Sequence, residues 1–99
     1  MNQKTAPDRD KKYMSFVREH ACCGCAKSDT ITVHHWAPKR YKAMGRKVSD
    51  YRTVPLCPIC HQDYHMKGAV GKLSILETQT HFLEVQVRLL VEWTQKNRG

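Results

Sequence analysis

Apolar residues recur at near-helical intervals towards both ends of the chain, and a β-branched stretch lies between them. Over Asp10 to His20 (DKKYMSFVREH), Tyr13, Met14, Phe16 and Val17 predict a short amphipathic helix. Ala21 to Ser28 is a tight Cys/Gly turn, and Thr30 to Trp36 (TITVHHW) reads as a strand that Pro38 ends. Thr53 to Leu56 predicts a second short strand, antiparallel to the first. Pro58 stands where the first position of a helix favours proline, and Gly68 caps that helix after about Lys67. Ser74 to Lys96 reads as one long helix. Leu76, Leu83, Val87 and Leu90 form its apolar stripe, which Phe82, Leu89 and Trp93 widen, and this stripe is expected to be core or a dimer contact. The pattern predicts a small α+β domain over 10–99, its core at 20–70, after a flexible tail at 1–9. It contains no internal repeat.

A chain of 99 residues makes one domain with a thin apolar core, and small domains often compensate with a structural metal or disulfides. The opening residues contain no secretory apolar region, and no run is long enough to span a membrane, so a reducing cytoplasm is expected. There, paired cysteines hold metal more often than they form disulfides.

The chain carries two C-x-x-C pairs, Cys22/Cys25 and Cys57/Cys60. Together they supply four thiolates, the soft tetrahedral set that zinc prefers, and zinc is favoured over disulfides or buried thiols. The surplus Cys23 is read as packing or a spare nucleophile. His61 and His65, four apart on the second predicted helix, emerge on one face and can chelate an ion. If zinc joins the strand to that helix, the adjacent His34 and His35 can supply one further ligand and one group beside the metal. Each of His61 and His65 alone is more simply a solvated helix residue; with the His pair and the staple, that reading weakens. His20 is expected to flank the first helix, and His81 to face solvent or the edge of the core.

The net charge is +8, from 17 Lys and Arg against 9 Asp and Glu. Much of it falls in the long loop at 37–53, where Lys39, Arg40, Lys42, Arg46 and Lys47 are candidates to grip phosphates. Alone, such a loop is more simply a solvated segment.

The order C-x-x-C, strand, His-His, long loop, then SDYRTVPLCPICHQDYH resembles the HNH endonucleases, also called ββα-metal or His-Me finger nucleases. The resemblance covers about residues 10–70 and is nearest to small phage-type HNH proteins related to a RecA-dependent recombination-enhancement nuclease. It implies a zinc-stapled, treble-clef-like ββα-metal core with flanking N-terminal and long C-terminal helices. It further implies a metal-dependent DNA endonuclease of phage or prophage recombination, acting in the bacterial cytoplasm. By that resemblance His34, His61 and His65 hold a catalytic divalent ion (Mg2+, Mn2+, Zn2+ or Ni2+) and His35 is the general base. Asp50 takes the place of the middle residue that orients the base. Many relatives carry Asp where His34 stands, and the exchange makes the site softer. The expected partners are DNA and a RecA-type recombinase filament, with no membrane, and the chain is a monomer or a homodimer through the C-terminal helix. The competing readings are a zinc-bound nucleic-acid module without chemistry and an adaptor that binds protein through the long helix.

Overall fold

The computed structural model describes residues 9–38 and 48–97, in the order helix, strand, strand, helix, helix. Most of the tail expected at 1–9, and the basic positions Lys39, Arg40, Lys42, Arg46 and Lys47, lie outside the described residues. Helix α1 (Lys11–Arg18) starts at Asp10, whose side chain accepts the Tyr13 amide. It buries Tyr13, Phe16 and Val17, the i, i+3, i+4 stripe that its sequence predicts.

Strands β1 (Thr32–His35) and β2 (Thr53–Leu56) form a two-stranded antiparallel sheet. His34 lies opposite Val54 and His35 opposite Thr53. Strand β1 is shorter than its β-branched letters predict. Thr30 adopts a left-handed φ of 56°, which turns the chain before Thr32. At the other end the Trp36 amide still bonds the Arg52 carbonyl, so the pairing outlasts the strand by one residue. Alternation along β1 places Thr32 and His34 on one face and Val33 and His35 on the other.

Helix α2 (Pro58–Lys67) follows with Cys57 as its N-cap, Pro58 in its first turn and Gly68 as a left-handed C-cap at φ 74°. Helix α3 (Ile75–Lys96) opens on a capping box: Ser74 Oγ accepts the Glu77 amide while the Glu77 carboxylate accepts the Ser74 amide. Helices α1 and α2 both contact the two strands, and α3 packs on β2 and α1.

Helix α3 differs from the stripe expected of it. Its buried residues are Thr78, Phe82, Val85, Gln86 and Leu89, whereas Leu76, Leu83 and Val87 are exposed, Val87 at 60%. Val87 lies five positions from Phe82, about 140° round the helix, so the two cannot share a face. Leu90 and Trp93 are partly buried against the core at the edge of the inner face. Phe82 decides which face turns inward, because it is fully buried against Trp36, Tyr64 and His34. Trp36 donates Nε1–H to Tyr64 Oη at 2.8 Å, and Gln86 donates to the Trp36 carbonyl at 2.9 Å. The end of β1 is thereby tied to α2 and α3 at once. Among the described residues, no helix is long and apolar enough to cross a membrane.

Candidate metal centre

The turn carrying Cys22 and Cys25 is built by short-range hydrogen bonds. Cys22 exchanges backbone bonds with Lys27 and Ala26, and the Cys23 amide bonds the Pro55 carbonyl, which docks the turn on β2. Gly24 lets the turn pack closely: a Cβ would stand 3.0 Å from Cys60 Sγ and 3.2 Å from Val70 Cβ, and both side chains would have to give way. Across from this turn, Cys57 and Cys60 open α2, and the Cys60 amide points at Cys57 Sγ.

The four sulfurs of Cys22, Cys25, Cys57 and Cys60 all lie within 4.8 Å of one another, and those of Cys25 and Cys57 are 3.6 Å apart. A tetrahedron of thiolates at zinc distance sets sulfurs about 3.8 Å apart. The four cysteines can therefore hold a structural metal such as zinc. The thiols of the set differ in how readily they ionise. Burial opposes charge on Cys22, but amide donors from Cys57, Gly24 and Cys25 outweigh it and bring the thiol down to about 7. Cys60 is pushed up by burial and then by the neighbouring thiols. A divalent cation relieves that mutual repulsion. Cys23 stands apart from the set, and burial pushes it up to about 12, so it packs as a thiol and is no ready nucleophile.

The second cluster is made of imidazoles. One ring nitrogen each from His34, His61 and His65 lies within 4.8 Å of the others, and His34 Nδ1 is 3.1 Å from His61 Nε2. Two nitrogens bound to one ion at about 2.1 Å stand roughly 3.0–3.4 Å apart, so the pair has ligand spacing. The i, i+4 relation on α2 brings His61 and His65 into a stack with ring centroids 4.9 Å apart. The second Cys pair ends one residue before His61, so what fixes Cys60 also fixes the first turn of this pair.

Thr32 sets the tautomer of His61. Its hydroxyl donates to the Leu56 carbonyl at 2.7 Å, so the oxygen must accept at its other contact, His61 Nδ1 at 2.9 Å. Nδ1 then carries the proton and Nε2 presents a lone pair to the cluster, as a ligand requires. Burial, and then the nearby His65, hold His61 below the usual imidazole range, which favours the neutral, ligating form. Nothing in a linear motif marks Thr32; its signal is the i, i+2 relation to His34 on one strand face.

The structure brings three of the four imidazoles together and turns the fourth elsewhere. His35 lies on the opposite face of β1, where its Nε2 is 2.8 Å from Asp50 Oδ1. Asp50 is only 2% exposed. Burial alone raises its carboxyl, but hydrogen bonds from His35, the Asp10 amide and Arg9 outweigh it and hold it below the usual carboxylate range. An ionised Asp50 accepts only, so His35 donates Nε2–H, and in the neutral ring the lone pair then lies on Nδ1. Arg9, expected in the tail, donates to Asp50 Oδ1 at 2.8 Å.

The two remaining histidines act in packing. His20 bonds the Phe16 carbonyl and Glu92, flanking α1 as expected, and His81 donates to the Cys23 carbonyl. Neither belongs to a metal-ligand group among the described residues.

Comparison with curated proteins and with solved structures gives no match. Residues 2–70 match the family model described as a protein of unknown function (DUF968), and the chain belongs to that family.

Proposed function

We propose that this member of a family without an assigned activity is a metal-dependent HNH-type endonuclease that hydrolyses phosphodiester bonds in DNA. The observation that carries the reading is the 2.8 Å contact of His35 with the buried Asp50, one residue along β1 from the three-imidazole cluster. Burying a carboxylate is costly unless it is paired, and a module that only binds nucleic acid has no need of a held imidazole at this place.

In this mechanism His35 Nδ1 takes the proton of the attacking water, and Asp50 stabilises the resulting imidazolium through Nε2–H. His34, His61 and His65 would hold the divalent cation, which supplies charge neutralisation at the phosphate oxygens and the leaving 3′ oxygen. The hydroxide bonds to phosphorus as the bond to the 3′ oxygen breaks, and that oxygen takes a proton from solvent, so the products would be a 5′-phosphate and a 3′-hydroxyl. Three nitrogens and no carboxylate make a soft ligand set, which favours transition ions over Mg2+. Plasmid nicking with Mn2+, Zn2+, Ni2+ and Mg2+ tests the reading. Cleavage with at least one transition ion and weaker cleavage with Mg2+ is expected; no cleavage under any of the four would leave a zinc-bound nucleic-acid module.

Lys39, Arg40, Lys42, Arg46 and Lys47 would grip the flanking phosphates in this scheme. Affinity for DNA is expected to fall by about 0.9 log unit per log unit of salt for each phosphate neutralised. A salt titration of binding checks this, and a flat response removes the basic segment from the scheme.

A further inference from the structure

The carboxylate that holds His35 is itself held from the far end of the chain. Asp50 Oδ1 accepts two donors, His35 Nε2 and Arg9 Nη1, each at 2.8 Å, and Oδ2 accepts the Asp10 amide at 2.7 Å. Arg9 Nη1 also reaches the Val48 carbonyl at 3.4 Å, so one guanidinium touches the segment just before Asp50 as well as its side chain. Asp10 is fixed in turn: Oδ1 accepts the Tyr13 amide at 2.9 Å, and Oδ2 accepts the Tyr51 hydroxyl at 2.6 Å. The rings of Tyr13 and Tyr51, 5.0 Å apart, close the clamp from the core side. The N-cap of α1 thus spends its backbone N–H, rather than leaving it to water, on a carboxylate forty residues away.

We infer that Arg9 and the Asp10 amide are positioning groups for the general base, fixing the Asp50 carboxylate so that His35 keeps Nε2–H inward and Nδ1 outward. This rests on the nuclease reading above and deepens it. A carboxylate that met only His35 would be free to turn about its Cβ–Cγ bond, and the ring that follows it would lose its heading. The Asp10 amide holds Oδ2 and Arg9 holds Oδ1 independently of His35, so the carboxylate keeps its plane and the imidazole has one hydrogen-bonded orientation; without Arg9, Oδ1 is held by the very ring it is meant to orient. The half-exposed Arg9 contributes charge as well as a donor, which keeps Asp50 an acceptor and excludes a proton from the shared oxygen.

The test uses the full chain with Arg9→Ala and Arg9→Lys, each assayed for plasmid nicking, melting temperature and metal content. In parallel, nitrogen-detected NMR reads the His35 tautomer. Arg9→Ala is expected to lower kcat about tenfold, the scale at which supporting contacts act, with KM within about twofold and metal content unchanged. His35 is expected to pass from one tautomer to a mixture, and Arg9→Lys to restore most of kcat and the single tautomer. An unchanged kcat with an unchanged tautomer overturns the inference. So does a rise in KM at constant kcat, which would make Arg9 a contact of the substrate. A wild-type chain that cuts nothing fails the nuclease reading alone, and the tautomer comparison then decides the positioning role by itself.

Discussion

Replacing His35 with alanine is expected to lower the rate of DNA cleavage by on the order of 10^2- to 10^4-fold, the range a positioned general base contributes. Folding and metal content should persist. His35 is partly exposed, and it lies outside both groups of residues with metal-ligand spacing. Its loss leaves Asp50 with two donors, Arg9 and the Asp10 amide, so the buried charge stays paired and the stability cost is about 1–2 kcal/mol. Nicking assays, thermal melts and elemental analysis on the same preparation check the three parts separately. A His35→Ala variant that cuts at the wild-type rate would transfer the base role to another group. Loss of activity together with loss of fold would instead reduce His35 to a structural residue.

The second large effect is expected at Cys57. It is 2% exposed, supplies one sulfur of the four and caps α2. Cys57→Ala removes a ligand and an N-cap at the junction between β2 and the helix that carries His61 and His65. Structural zinc contributes about 10–16 kcal/mol of apparent binding energy in small zinc-dependent folds, which rivals the roughly 5–15 kcal/mol total stability of an ordinary domain. The Cys57→Ala chain should therefore be largely unfolded at 25 °C, and a strong chelator should do the same to the wild type. Circular dichroism reads the loss of helix. Cys23→Ala is the control, since Cys23 packs outside the sulfur cluster, and it should melt within a few degrees of the wild type. Equal melting of Cys57→Ala and wild type would mean that the core alone holds the fold.

What was legible in the sequence is what spacing along one element or across one turn determines. The two C-x-x-C pairs and the His61/His65 pair are each closed by three or four residues, and the structure gathers them into a sulfur cluster and an imidazole cluster. Strand β2 and helix α2 were equally readable, because Pro58 and Gly68 punctuate them. Nothing in local spacing pairs Asp50 with His35, fifteen residues away; only the family pattern singles it out, and the two side chains meet at 2.8 Å. The donors on Asp50 are not legible: Arg9 reads as the end of a polar tail and Asp10 as the start of the first helix, and a contact across forty residues has no periodicity to betray it. Helix α3 is only partly legible, for a different reason. It has apolar residues on two faces, and period alone cannot say which one Phe82 will turn towards Trp36 and Tyr64.

The central claim is that three imidazoles share one cation separately from the four thiolates. Elemental analysis after equilibration in one zinc buffer tests it, comparing the wild type with a chain carrying His34→Ala, His61→Ala and His65→Ala. Two ions per wild-type chain and one per folded variant is the expected result. One ion in both chains would contradict it.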